Sequence, residues 1–298
     1  MKKIFKILLV GLGLGACEKK VDIALPDPGN KITIDARLAS GQPASALVSR
    51  SVSPLSSENP DISDQFTVRL LEDGQLVDTL RYDNNPRGGG NYQSAYEPVS
   101  GKTYTVKATS PSLPDAQGSD RVPQPVEIKR WEYNAETQDL RVEFPVSNRG
   151  SVGYYALGVS LESTSATSYS SSPVRVSSLD PEVVFFSTQE VNNPGRPSGE
   201  QAIIKAQASQ GQEFSVSLRL EPISAHSLDT SRVDSLYYAF TWEHWSEDYY
   251  RFNRREALSD LSGNGPFGEP VQPYFNVEGG YGIVGGLARS RDTLVLKP

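Results

Sequence analysis

The sequence predicts a mainly β protein made of two β-sandwich modules, the N-terminal one immunoglobulin-like, with one aromatic α-helix in the second. Three observations support this fold class. Short segments of alternating apolar and polar residues recur along the chain, Gly- and Pro-rich turns separate them, and one segment alone has apolar residues at helical spacing. The 298 residues suffice for two ordinary domains.

The chain begins with the three parts of an export signal. Three lysines lie within the first six residues, an apolar segment covers residues 7–14, and small residues precede Cys17. The apolar segment is much shorter than the roughly 20 residues that span a bilayer. We therefore expect a signal peptide over residues 1–16, followed by a Pro-containing tether over residues 17–30.

Cys17 is the only cysteine, and Leu14-Gly15-Ala16-Cys17 resembles the lipobox of bacterial lipoproteins. In those proteins the cysteine thiol takes a diacylglyceryl group, the signal is removed and the new amine is acylated. The resemblance therefore implies lipidation of Cys17, and several acyl chains give stable anchoring. A plain signal peptide that contains a cysteine is the alternative. An acylated Cys17 leaves no thiol for a disulfide, so the fold depends on its core.

The charge of the chain restricts its partners. Removal of residues 1–16 takes away three lysines and no acid, so the net charge changes from −7 to −10. An acidic exported protein is a poor partner for nucleic acid, which requires basic surface. Anionic headgroups would also repel it. We therefore expect no nucleic acid partner, and we expect the lipid to be the attachment to the membrane.

The first module is predicted over residues 31–125. Alternation predicts strands at residues 31–38, 66–71, 76–80, 91–96 and 103–108. The Asp73-Gly74 pair between the second and third of these segments is a strong hairpin signal. Five to seven strands in about 100 residues is the number found in an immunoglobulin-like sandwich.

The second module is predicted over residues 126–298, because four prolines between residues 111 and 125 indicate a boundary near Val126. Its predicted strands cover residues 126–133, 140–144, 154–161, 183–187, 202–208, 214–220, 281–287 and 293–297.

One helix is predicted near residues 241–258. Trp242, Trp245, Tyr249 and Phe252 are spaced by 3, 4 and 3 residues, which places them on one helical face. The favoured interpretation is that this face fills the core of the second sandwich. The alternative is an aromatic surface that stacks on sugars or anchors a protein partner.

Further residues support the prediction of the helix, and two more aromatic residues define a second face. Thr241 is a candidate N-cap, and Glu247 and Arg251 form an i,i+4 pair in the favourable order. Tyr238 and Tyr250 fall on another face, which the core interpretation constrains less.

The sequence contains few candidates for catalytic, cofactor-binding or metal-binding residues. The pattern Gly280-Tyr-Gly282-Ile-Val-Gly285 matches a dinucleotide fingerprint, but no helical segment follows it, so close strand packing is the better interpretation. Only His226 and His244 could ligate zinc, too few for a site, and we expect His244 to be packed or at the surface. We predict no catalytic residue, metal site or cofactor.

Three weaker possibilities remain open. A Ser-His-Asp triad is compatible with the many serines, although no G-x-S-x-G elbow is present. Acidic loops at residues 61–64 and 83–85 lack the spacing of a calcium loop, and solvated charge explains them better. The loop at residues 84–90 is a plausible contact site, but equally an ordinary loop tip.

Four segments resemble a Bacteroidetes lipoprotein family known as domain of unknown function 4249. They are the lead that begins Cys17-Glu18-Lys19, the helix segment Tyr249-Tyr250-Arg251, the turn Pro266-Phe267-Gly268-Glu269-Pro270, and the stretch from Asn276 to Ile283 with Gly279, Gly280 and Gly282. The likeness covers nearly the whole mature chain.

The resemblance implies a function in the cell envelope. The family has no established reaction, and its members are lipoproteins thought to work beside TonB-dependent outer-membrane receptors. We therefore expect a non-enzymatic accessory in nutrient binding or uptake, anchored to the outer membrane on its periplasmic face or at the cell surface. An envelope hydrolase of glycan or peptide and a structural or adhesive module are the alternatives.

Overall fold

The structure is a computed structural model that describes residues 29–53, 56–57, 65–84, 91–146, 152–186, 198–207, 213–221, 234–262 and 271–297. Within these ranges the chain is mainly β, as predicted, with nineteen strands and one helix. Cys17, His226, the acidic loop at 61–64 and most of the loop at 84–90 lie outside them.

The first part of the chain forms β1 (Ile32–Ala39), β2 (Ser45–Arg50), β3 (Thr67–Glu72), β4 (Gln75–Tyr82), β5 (Tyr92–Gln93), β6 (Thr103–Ser110) and β7 (Leu113–Arg121).

The second part forms β8 (Arg130–Asn134), β9 (Asp139–Pro145), β10 (Gly153–Thr164), β11 (Tyr169–Val174), β12 (Val176–Ser177), β13 (Val183–Phe185), β14 (Ser198–Gly199), β15 (Gln201–Ala206), β16 (Glu213–Leu220), β17 (Ser235–Trp245), α1 (Glu247–Ser262), β18 (Val277–Glu278) and β19 (Tyr281–Lys297).

The strands form two sheets. The larger has fourteen strands in the order β13-β15-β10-β17-β19-β1-β2-β5-β4-β3-β6-β7-β18, with β11 paired to β10. The smaller has five strands in the order β14-β12-β16-β9-β8. The larger sheet therefore runs through both modules, and the smaller sheet covers one face of its second half.

The first core lies between β1 and β2 on one side and β3, β6 and β7 on the other. In β1 the even-numbered residues from Ile32 to Leu38 are buried, while the intervening side chains are more exposed. This is the alternation that predicted the strand. The predicted hairpin is also present, because Asp73 and Gly74 join β3 to β4 with φ values of 47° and 84°, as a type I′ turn requires.

One strand of the first module has no apolar signal in the sequence. The prolines at 111 and 114 indicate a boundary rather than a strand, yet β7 pairs with β6 and with β18. Its inward positions are Ala116 and Gly118, which are small enough to let the neighbouring layer approach.

The second core lies between the smaller sheet and β10 and β17 of the larger one. Phe144 and Leu218 from the smaller sheet meet Tyr155, Phe240 and Trp242 from the larger. The Trp242 ring packs edge-on against Phe144 at 4.8 Å between ring centroids.

The aromatic segment is divided between a strand and a helix. Residues 235–245 form β17 and α1 begins at Glu247, so the prediction of a helix near residues 241–258 is wrong over residues 241–246. The residue that caps α1 is Ser246 and not Thr241, because the Ser246 Oγ accepts a hydrogen bond from the Tyr249 amide at 3.1 Å. The predicted ion pair between Glu247 and Arg251 is confirmed.

The helix lies outside the second sandwich core. Its Tyr249 and Tyr250 pack with Trp245, Leu287 and neighbouring residues in a third, smaller cluster. The sequence placed Trp242, Trp245 and Tyr249 in the core of the second sandwich, and this is correct for Trp242 alone. Trp245 and Tyr249 are buried, but in this separate cluster. Tyr250, on the face expected to be less constrained, is 3% exposed.

The last strand passes through both modules. Residues 281–287 of β19 pair in parallel with residues 33–39 of β1, and residues 287–297 pair antiparallel with β17. The segment 277–287, which the sequence places in the second module, therefore pairs with the first. No helix in the described ranges is long and apolar enough to cross a membrane.

Candidate ligand-binding groove at the module junction

A groove of about 780 Å³ lies where the two modules join. The first module contributes β1, β2 and β5, and the junction contributes Tyr249 of α1 and Leu287 and Arg289 of β19. We call this site the junction groove. It is built by the pairing of β1 with β19, which brings together residues that are about 250 positions apart in the chain.

Strand alternation sets which side chains face the groove. Because Ile34, Ala36 and Leu38 point into the first core, Asp35 and Arg37 point out of it. The Arg37 guanidinium donates from Nε to Asp35 Oδ1 at 3.3 Å and from Nη2 to Asp35 Oδ2 at 3.2 Å. The Arg37 side chain remains 53% exposed.

A second arginine that lines the groove is held by a buried carboxylate. Arg289 donates from Nε to Glu243 Oε1 at 2.8 Å, and its Nη2 lies 2.6 Å from the same oxygen. The Trp245 Nε1 donates to the other oxygen, Oε2, at 2.7 Å. Glu243 is 6% exposed, whereas the Arg289 side chain is 52% exposed. The buried carboxylate thus fixes the direction of an exposed guanidinium.

Tyr249 of α1 also lines the groove. Its ring packs edge-on against Trp245 at 5.0 Å, and burial raises the pKa of its hydroxyl. The ring rests on the backbone of β19, because a Cβ at Gly285 would lie 2.6 Å from it. A glycine is therefore needed where α1 crosses the strand.

A second cleft, of about 390 Å³, lies beside the start of α1. Its central acid is Asp120 of β7, which accepts hydrogen bonds from the Ser246 hydroxyl and from the Gly286 amide, the latter at 2.7 Å. Burial raises the pKa of Asp120 to about 6, against the lowering effect of these hydrogen bonds. We call this site the Asp120 cleft.

His244 also lines the Asp120 cleft and is packed, as predicted. It is 3% exposed, its ring stacks on Tyr155 at 4.7 Å, and its Nδ1 lies 2.7 Å from the Gln124 carbonyl oxygen. A carbonyl can only accept, so Nδ1 carries the proton and donates. Burial lowers the pKa of His244, which keeps the ring neutral at pH 7.

Asp120, Ser246 and His244 do not form a catalytic triad, although they line one cleft. The Ser246 hydroxyl donates to Asp120 and caps the helix, and the histidine bonds a backbone carbonyl instead of a carboxylate. A serine nucleophile needs the histidine as its base. Over the described part of the chain, no three His, Cys, Asp or Glu residues are grouped to hold a metal ion.

The glycines of the dinucleotide-like pattern serve strand packing, as predicted. A Cβ at Gly280 would lie 2.3 Å from the Ile32 carbonyl oxygen, and one at Gly282 would lie 2.0 Å from that of Ile34. Gly282 also has a φ of +106°, which side-chain-bearing residues rarely adopt. The segment continues as a strand, β19, where the fingerprint would require a helix.

Asn276, at the start of the same glycine-rich stretch, stabilises the junction through side-chain hydrogen bonds. Its side-chain oxygen accepts from the Val284 amide at 2.9 Å, and its nitrogen donates to the Val284 carbonyl at 2.8 Å. The nitrogen also contacts Asp248 of α1 at 3.2 Å. Asn276 and Tyr249 thus hold β18, β19 and α1 together.

The sequence did not single out Arg37, Arg289, Glu243 or Asp120. A signal for some of them was present. Alternation in β1 already placed Asp35 and Arg37 on its outward face, and Glu243 and Trp245 share a face once the segment is treated as a strand. The junction between β1 and β19 has no local signal, because it depends on pairing between the two ends of the chain.

Comparison with known proteins gave one family match. A model described as "Domain of unknown function (DUF4249)" matches residues 18–293. A search of curated proteins found no match. A crystal structure of the collagen adhesin (CNA) from S. aureus aligns with 89% of this chain and 94% of its own at 7% identity. Its TM-score is 0.18, which supports no inference about fold or function.

Proposed function

The chain belongs to the DUF4249 family, and from that premise we propose that it is a lipoprotein of a Bacteroidetes cell envelope, anchored to the outer membrane by acylated Cys17. We propose that it acts without catalysis beside a TonB-dependent receptor, in the binding or uptake of a nutrient. The observation that carries the proposal is the position of the single cysteine, directly after a short export signal and before a tether.

Two features of the folded part support a binding role. The junction groove has the volume of a small-molecule site and is lined by side chains from both modules. The groups that come closest to a catalytic set, in the Asp120 cleft, are engaged in capping α1 and in packing. These features favour an accessory that binds over an envelope hydrolase.

The lipid anchor is tested by substitution of Cys17. We expect the wild-type protein to incorporate labelled fatty acid and to enter the detergent phase on phase separation. Cys17→Ser should lose the label and keep its signal peptide, because the thiol is the site of acylation. A chain that begins at Glu18 behind a leader cleaved by ordinary signal peptidase should enter the aqueous phase.

Lys19→Ser is the matched control, because it changes the tether and leaves the thiol. It should keep both the label and the detergent partition. A label retained by Cys17→Ser, or detergent partition of the chain that begins at Glu18, would show that the anchor is wrong.

The partner is tested by purification of the tagged lipoprotein from its own cells in mild detergent. We expect a TonB-dependent barrel to copurify, and its absence would remove the receptor from the proposal. Protease treatment of intact cells distinguishes the two faces of the outer membrane, because only a surface-exposed chain is cut.

A further inference from the structure

We propose that the junction groove binds a neutral oligosaccharide. This inference rests on the proposed function in one respect only, the access of the groove to extracellular ligands. Four properties of the groove lead to it: prearranged hydrogen-bond donors, a balance of charge, a backbone that is already paired, and apolar contact surface.

The donors come from Arg37 and Arg289. Their carboxylate partners engage the Nε and Nη2 side of each guanidinium, which leaves the Nη1 side outside these pairs. Both side chains are more than half exposed. A guanidinium that is already oriented loses little freedom when it binds, so these groups are prepared to donate to a ligand oxygen.

The charge of the groove is balanced. Asp35 accompanies Arg37 and Glu243 accompanies Arg289, so two cations face two anions. A phosphate or other strongly anionic ligand would approach Asp35, and the charge of Arg289 is already neutralised by the buried Glu243, in a chain that is itself acidic. A neutral ligand that both donates and accepts hydrogen bonds fits this set. Gln42 and Gln93 add amide groups of the same dual character.

The backbone beneath the groove is already paired. β1 is bonded to β19 on one side and to β2 on the other, and β2 continues to β5. An extended peptide gains most of its affinity by adding a strand to a free sheet edge. This sheet face offers no edge, so side chains must recognise the ligand. That requirement favours a ligand dense in hydroxyl groups over a peptide.

The groove also contains some apolar contact surface, most of it from Leu47, which is 38% exposed on β2. Leu287 and Tyr249 also line the groove, but they are buried and present little area to a ligand, at 3% and 6% exposure. Sugar rings present C–H faces that pack on such surface while their hydroxyls bond at the rim. The volume of about 780 Å³ falls in the range of about 300–1,000 Å³ that is usual for ligand sites.

The experiment is calorimetric titration of the detergent-solubilised full lipoprotein. The probes are maltohexaose, cellohexaose, xylohexaose, laminarihexaose, mannohexaose and chitohexaose, each at millimolar concentration. Hexagalacturonate is the anionic comparison and hexa-alanine the peptide comparison. We expect at least one neutral hexasaccharide to bind more tightly than both comparisons.

Three variants locate the site. Arg37→Ala and Gln42→Ala change exposed groove residues, and Arg289→Lys keeps a charge beside Glu243 but loses the planar fork. We expect Arg37→Ala and Arg289→Lys each to weaken binding about tenfold or more, and Gln42→Ala to weaken it by a smaller factor. Arg254→Ala, on the exposed side of α1, is the matched control and should bind as wild type does.

The proposal is overturned if no neutral hexasaccharide binds, if the peptide or galacturonate binds more tightly, or if the groove variants bind as wild type does. These outcomes differ from a failure of the proposed function. A barrel that copurifies without any sugar binding removes only the ligand class. Sugar binding without a copurified barrel removes only the receptor.

Discussion

Gly282 of β19 packs directly against the backbone of β1. Its φ of +106° and the 2.0 Å that would separate an added Cβ from the Ile34 carbonyl oxygen leave no room for a side chain. Gly158, on β10, is the opposite case. A Cβ there would meet nothing within 4 Å, and its φ lies outside the range that favours glycine.

These two glycines form a matched pair for substitution. Gly282→Ala should lower the free energy of unfolding by about 2–4 kcal/mol, through backbone strain and the displacement of β1. Gly158→Ala should leave it unchanged or raise it by up to about 1 kcal/mol, because alanine reduces the freedom of the unfolded chain. Urea denaturation measures both, and equal effects at the two positions would contradict this account.

The sequence predicted the close packing at Gly280 and Gly282 better than it predicted the polar residues of the site. A glycine-rich stretch with no helix after it indicates close packing, whatever the partner strand is. Arg37 and Arg289 gave no comparable signal, because an exposed arginine is ordinary until its neighbours are known. Their relation depends on Asp35, on Glu243 and on the register of β1 against β19.

At the scale of elements, the division of residues 235–262 into β17 and α1 shows the limit of what local sequence patterns can predict. Aromatic residues at 238, 240 and 242 have the period of a strand, and those at 242, 245, 249 and 252 have the period of a helix. Trp242 belongs to both series, so periodicity alone could not place the boundary. The position of Ser246, one residue before α1, marks it through the cap.

Asp120 joins three elements, and its titration should appear in the pH dependence of stability. Burial raises its pKa to about 6, whereas an unfolded aspartate titrates near about 3.9. Between these values the folded protein holds the proton more tightly than the unfolded chain does. The stabilisation is therefore complete below about pH 4 and is lost as the pH rises through about 6.

The comparison of wild type with Asp120→Asn isolates this group. We expect the stability of wild type relative to the variant to fall by on the order of 2 kcal/mol between pH 4 and pH 7. Denaturation at a series of pH values measures it. Asp115→Asn, at an exposed carboxylate on the same strand, is the control and should show a much smaller change. A difference that rises with pH would contradict the assignment.

At the scale of the whole molecule, β19 joins strands of the two modules into one continuous sheet. Its first half completes the first core and its second half lies beside β17. The sequence predicted the two sandwiches, since each has its own series of alternating strands. It could not predict the shared strand, because β19 is one continuous segment whose two partners lie about 200 residues apart.

The shared strand predicts that the two modules unfold together. All three tryptophans, Trp131, Trp242 and Trp245, lie after residue 126, so tryptophan fluorescence reports on the second module. We expect its urea transition to coincide with that of far-ultraviolet circular dichroism. Gly282→Ala, made in the first-module half of β19, should shift both transitions equally. A fluorescence transition that stays in place would show that the modules unfold separately.

The parallel pairing of β1 with β19 also fixes an order of events during biosynthesis. β1 is the first of the described strands to be translated, but the strand that covers its outer edge is the last of them. Until residues 281–287 have been synthesised, β1 has an open edge that can pair with other chains. The nascent protein must therefore be held apart from its copies until β19 is available, and only then can its first sandwich close.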